Sequence, residues 1–306
     1  MPVKRWDGKI EYPSFGECIY CGASANETEL TDEHIIPLSL GGKVVILKGS
    51  CKPCAAETTK IEDEISRKVL WDLRLHAKAP TRRKKERPKE RPFTYSIAGG
   101  ERETKTVPIA DHPYFTPMPV WGLPGMLTGA QPITEFAHYK AHVFYSIPPN
   151  IRKTLGLKHG DIAEIPFPEF RINHHRFARA IAKIAYCQTL VELGLHGFRH
   201  LVLPDLILGK YPCVPHFVGS EITDPPPPTE RSILQVVQVG FEKKGDLQLV
   251  VATVRLFANS GVEEHGPPIY EVVVGARALP QGLSAKRAFR TNCPIEKSAI
   301  IPLRAP

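Results

Sequence analysis

Cys18-Ile19-Tyr20-Cys21, then Leu30-Thr31-Asp32-Glu33-His34-Ile35-Ile36-Pro37, then Cys51-Lys52-Pro53-Cys54 are the segments that decide the fold of the N-terminal region. Two CxxC pairs at this separation suit one tetrahedral zinc ion, with Cys18, Cys21, Cys51 and Cys54 as thiolate ligands at about 2.3 Å. The loop closed by such a site carries an acid next to a histidine, Glu33 and His34. The spacing therefore predicts a metal-stapled frame with reactive groups held inside it.

Working outward, Gly41-Gly42 breaks the chain after the acid-histidine run, and the β-branched Val44, Val45 and Ile46 predict a second strand from Val44 to Leu47. A helix is expected from about Ala55 to His76, with Ile61, Ile65, Val69 and Leu73 as one buried stripe at steps of four. These elements make residues 1–78 a first unit. Residues 79–92 form a basic linker, in which Arg82, Arg83, Lys84, Lys85, Arg87, Lys89 and Arg91 crowd together. Such a run is either a solvated connector or a segment that tracks phosphates, and Arg82, Arg83, Lys84 and Lys85 are the candidate nucleic-acid contacts.

Residues 93–306 have a mixed α and β texture with many proline-bearing loops, the whole chain holding 30 prolines. The clearest helix runs from Asn173, a good N-cap, to Gly194, a good stop, with Phe177, Ile181, Ile184 and Ala185 on its apolar face. Arg176, Arg179 and Lys183 recur at steps of three and four, which reads as a solvated basic edge. Strands are expected at Ile233 to Val239, Leu247 to Phe257 and Ile269 to Val274, forming a small antiparallel sheet against that helix. The fold class is α+β, a small zinc-stapled unit followed by a larger α+β domain.

Of 7 cysteines, four fall in the CxxC pairs, while Cys187, Cys213 and Cys293 are scattered. That usage suits zinc in a reducing compartment better than a disulfide framework, and the scattered thiols read as small buried apolar residues. The N-terminal residues are charged, and the longest weakly charged region, His112 to Thr134, is broken repeatedly by proline and glycine. A soluble, cytoplasmic protein with no membrane span is expected. A formal net charge of +8 favours a polyanionic partner. His174, His175, His196 and His200 lack a converging cysteine or acid in sequence, and the glycines at 99–100, 156 and 160 match no phosphate loop.

Taken together, Glu33-His34-Ile35-Ile36-Pro37-Leu38, Gly41-Gly42 and the second CxxC at a helix start resemble the HNH endonuclease family, in particular members whose ββα-metal core is stapled by a four-cysteine zinc. The resemblance covers about residues 15 to 70 and implies hydrolysis of a phosphodiester in nucleic acid, with DNA as the leading substrate. It implies His34 as the general base that activates water, a role suited to an imidazole that ordinarily titrates near about pH 6.5. It also implies Glu33 as a ligand to a catalytic divalent ion, Mg2+ or Mn2+, separate from the structural Zn2+. The family pair lies where its strand leaves the ladder, which lets adjacent residues share a site.

The chain departs from the family pattern at two places. No asparagine occurs in residues 35–50, and Ala55 follows the last cysteine where the family has a metal-binding side chain. Helix geometry offers Glu62, two turns on from Ala55, and then Thr58 as substitute ligands to the divalent ion. Glu62 would lie about 10 Å further along the helix axis, so the ion or the helix must be placed differently. The alternative reading is a non-catalytic, zinc-dependent nucleic-acid-binding protein with a degraded HNH site.

Overall fold

The computed structural model describes all residues except 1–3, 7–8, 82–83, 98–99, 159–162, 166–168, 223–234, 259–266 and 279–306. The N-terminal region contains β1 (Lys4–Trp6), β2 (Lys9–Tyr12), β3 (Leu30–His34), β4 (Val44–Cys51) and α1 (Lys52–Asp63). The strands form one sheet in the order β1-β2-β4-β3, with β3 antiparallel and β2 parallel to β4. The β1–β2 hairpin was not foreseen from sequence.

β3 and β4 pair from Leu30 opposite Cys51 to His34 opposite Val45, and the register slips between Thr31 and Glu33. Residues 47–49 of β4 are looped out there against Asp32, and Lys48 takes a positive φ of 46°. The slip ends one residue before the acid-histidine pair. The ladder then persists past His34, since Ile35 N–H donates to Val44 O at 3.0 Å. Pro37 ends it, and Gly41, at φ 87°, closes the following 3-10 turn at 38–40.

The helix expected from about Ala55 to His76 is three pieces. α1 starts directly at the second CxxC, with Cys51 as N-cap and Pro53 in the first turn, where its missing N–H costs nothing. A π-helical segment, Glu64–Val69, then leads to α2 (Trp71–His76). The reason lies in the apolar spacing. Steps of four overrun the α-helical turn of 3.6 residues by about 40° each, so a regular helix would carry Val69 and Leu73 off the buried face. The wider π turn, with Leu70 N–H donating to Ile65 O at 2.9 Å, unwinds the helix enough to keep all four buried.

β5 (Glu90–Ile97) and β6 (Arg102–Pro108) pair antiparallel and are followed by β7 (Tyr114–Val120), α3 (Gly125–Thr128), β8 (Lys140–Ser146), α4 (Ile151–Leu155) and β9 (Ala163–Glu164). β7 pairs with β8, and β9 adds to β5. α5 (His174–Leu193) follows, capped by the Asn173 side chain accepting from Arg176 N–H at 2.9 Å and ended at Gly194 as expected. After α6 (Leu203–Ile207) and α7 (Val214–Phe217) come β10 (Val218–Glu221), β11 (Gln235–Lys244), β12 (Leu247–Leu256) and β13 (Ile269–Ala278).

These last strands form an antiparallel sheet in the order β10-β13-β12-β11, packed against α5. The sequence reading has three of them; β10 is the addition, and the expected start at Ile233 lies outside the described residues. The alanine-rich α5 is buried on nearly every side, with Phe177, Ile181, Tyr186 and Leu190 fully enclosed. One hydrophobic core runs from Ile61 and Ile65 through α5 to Val250 and Val272. No helix among the described residues is long and apolar enough to cross a membrane.

Candidate metal centres and nuclease cleft

The knuckle at Cys18–Cys21 is folded by Gly22 N–H donating to Cys18 O at 2.9 Å, with Gly22 at φ 73°. It faces the end of β4 and the start of α1, so the four cysteine sulfurs all lie within 4.8 Å of one another. The Cys21 and Cys51 sulfurs are 3.7 Å apart, close to the roughly 3.8 Å edge of a tetrahedron with bonds of about 2.3 Å. Cys51 N–H points at the Cys18 sulfur at 3.4 Å and favours a thiolate there. Donor set and spacing fit a structural metal such as zinc. The scattered Cys187 is buried beside this unit, Cys213 is half-buried, and Cys293 lies outside the described residues.

Beside the knuckle, β3, α1 and α2 enclose a cleft of about 750 Å³ whose lining includes Glu33, His34, Ala55, Thr58 and Glu62. Glu33 is buried and His34 half-buried, yet both reach this cleft. Glu33 is pressed from behind by β4, where a Cβ added at Gly49 would come within 2.9 Å of the Glu33 Cβ. Thr58 is buried and donates its hydroxyl proton to Ala55 O at 3.2 Å, which leaves its lone pairs available. Ala55 itself contributes no donor atom.

Residues 18–70 match the family model described as HNH endonuclease. The likeness is to this segment alone, which is HNH-like. No curated protein and no solved structure matches the chain. The HNH-like unit thus combines a four-cysteine metal frame with a match to an endonuclease family model.

Within the HNH unit, Glu33 and Glu62 converge despite their separation along α1. Both reach the same cation, the ammonium of Lys183, at 2.8 and 2.7 Å. Lys183 comes from α5 and also donates to His34 O and, at 3.4 Å, to Ile35 O. Burial works against its charge, but the carboxylates of Glu33 and Glu62 outweigh that cost and hold its pKa above the usual lysine value. The basic edge expected on α5 therefore does not form. Lys183 is fully buried and Arg179 donates to Ile207 O at 2.8 Å, leaving Arg176 half-exposed.

Three arginines line the cleft, Arg67, Arg74 and Arg87, of which the sequence reading singles out only Arg87, as part of the basic run. Arg74 is buried and locked by bonds to Ser39 O at 2.6 Å and Ser66 O at 2.7 Å. Arg87 donates to Ala79 O, and Arg91 pairs with Asp72 of α2, so part of the basic run folds back on the HNH unit. Arg82 and Arg83 lie outside the described residues, as does the Lys84 side chain; Lys85 is exposed. The histidines considered as ligands have other partners. His174 accepts the indole N–H of Trp121 at 2.9 Å, and His200 meets the Tyr186 hydroxyl at 2.9 Å.

A signal for Lys183 did exist. A helix that is apolar almost all round belongs in a core, and a lysine there needs acidic partners from elsewhere in the chain.

Proposed function

We propose that this protein is a metal-dependent endonuclease that hydrolyses phosphodiester bonds in nucleic acid, with DNA as the primary substrate. The reading rests on one observation: His34, Glu33 and Glu62 meet in a single cleft of the HNH unit, beside arginines suited to phosphate. His34 accepts the proton of the attacking water. Arg67 and Arg87 offer guanidinium groups to phosphate oxygens at the mouth of the cleft, and Lys85 and its basic neighbours extend that attraction along the strand.

The two carboxylates are drawn together by the Lys183 ammonium and both line the cleft, and carboxylate oxygens are the donors a Mg2+ or Mn2+ ion requires. Glu33, Glu62 and the Thr58 hydroxyl would hold that ion. When bound, it supplies charge stabilisation at the scissile phosphate and the departing oxygen.

The second reading, a zinc-dependent nucleic-acid binder without activity, is favoured by Ala55 and by the existing pairing of both carboxylates with Lys183. Plasmid nicking separates the two. The intact protein is expected to nick DNA with Mg2+ or Mn2+, and His34→Ala should lower the rate by about 10²–10⁴-fold, as loss of a general base does. DNA affinity and zinc content should stay near wild type. Binding without cleavage across Mg2+, Mn2+, Ca2+ and Zn2+ would favour the non-catalytic reading.

A further inference from the structure

Lys183 is the one lysine among the described residues whose side chain is buried completely, and its Nζ meets Glu33 Oε1, Glu62 Oε1, His34 O and Ile35 O. An ammonium has three donors and no acceptor, so a ring of four oxygens saturates it. Two of those oxygens belong to the proposed ion ligands and one to the backbone of the proposed base. Without a cation between them, two carboxylates in a partly buried place repel and turn apart.

The helix that delivers Lys183 is fixed on the same face by the zinc knuckle. Tyr186 OH donates to Ile19 O at 2.6 Å, and Cys187 Sγ meets Tyr20 OH at 3.5 Å. Positions 183, 186 and 187 lie within one helical turn of each other, so α5 is registered against the frame and the cleft together. Asn173 N–H adds a contact from the N-cap of α5 to Glu64, at 3.3 Å. Lys183 has no exposed surface, so its ammonium meets these oxygens away from bulk water.

From this geometry we infer that Lys183 is a positioning residue of the nuclease site, contributed by the second part of the chain. It sets the spacing of Glu33 and Glu62 from the buried side and pins the strand end that carries His34. A divalent ion entering the cleft then meets two carboxylates whose spacing Lys183 holds from behind. The inference rests on the nuclease reading for its role in cleavage, while its role in ion binding is measurable separately.

The test uses the full chain with zinc bound, as wild type, Lys183→Met and Lys183→Arg. Mn2+ binding is followed by electron paramagnetic resonance without nucleic acid, and nicking is followed at saturating Mn2+. Loss of an outer partner of metal ligands typically weakens metal binding or activity about 10–100-fold, and Lys183→Met is expected in that range for both. The KM for DNA should stay within about threefold, because the DNA-facing arginines are untouched. Lys183→Arg keeps the charge but cannot place one nitrogen among four oxygens, so it should lose in the same direction by less. Should Lys183→Met release zinc or unfold, Lys183→Arg decides.

Wild-type Mn2+ affinity and kcat in Lys183→Arg, or in a folded Lys183→Met, would overturn the inference. So would tighter Mn2+ binding in Lys183→Met, which would make the ammonium a competitor of the ion. An intact protein that binds Mn2+ yet cuts nothing defeats the nuclease reading, and the Mn2+ affinities of the variants still judge Lys183. An intact protein that binds no Mn2+ overturns the inference as well.

Discussion

Gly49 leaves the room that Glu33 occupies against β4. A methyl group there would lie 2.9 Å from the Glu33 Cβ, which the β3–β4 ladder fixes, and 3.1 Å from Ile46 Cγ2. Since the Glu33 Cβ cannot swing aside as a side-chain end does, β3 or the looped-out residues 47–49 must shift. Gly49→Ala is expected to lower stability by about 1–3 kcal/mol, the usual cost of overpacking, and to move Glu33 away from Lys183. Chemical denaturation reads the first effect and Mn2+-dependent nicking the second. Unchanged values of both would mean that the ladder yields there at little cost. Glu33 and His34 were legible from sequence because the acid-histidine run is local, whereas the pressure from Gly49 depends on a register slip that no local pattern announces.

At the scale of elements, the metal frame was the most legible part, because CxxC spacing states its ligands outright. Val44 to Ile46 and the Asn173 to Gly194 helix were legible for the same reason, each being specified by its own residues and caps. The π-helical segment was readable only in outline. Ile61, Ile65, Val69 and Leu73 announced one buried stripe, but steps of four and a turn of 3.6 residues conflict, and the resolution depends on what the stripe packs against. β10 and the β1–β2 hairpin escaped because short strands owe their pairing to distant partners. Cys51 tests the frame most directly, being both a predicted zinc ligand and the N-cap of α1. Cys51→Ser is expected to abolish stable zinc binding and to unfold the HNH unit, since structural zinc contributes on the order of 10 kcal/mol to such modules. Metal analysis after dialysis, with circular dichroism, checks it. Native melting without zinc would show that the core shared with α5 suffices.

Across the whole molecule, the HNH unit and α5 share one core, the carboxylates of the cleft take their buried ammonium from α5, and the arginines of the cleft come from the π-helical segment, α2 and the basic run. Sequence separation hid this, because Lys183 and His34 are 149 positions apart. The charge excess of +8 acts at this scale too. If Arg82, Arg83, Lys84 and Lys85 track the backbone of duplex DNA, each phosphate contact adds about 0.9 to the slope of log affinity against log salt. Replacing all four with glutamine should therefore flatten the slope by up to about 3.6 and weaken binding to every sequence alike, with little change in melting temperature. Fluorescence anisotropy with a labelled duplex between low and physiological salt measures this. The His34→Ala protein serves as the host, so that cleavage does not consume the probe. An unchanged slope would remove the basic run from the interface and assign the phosphate contacts to Arg67, Arg87 and the cleft itself.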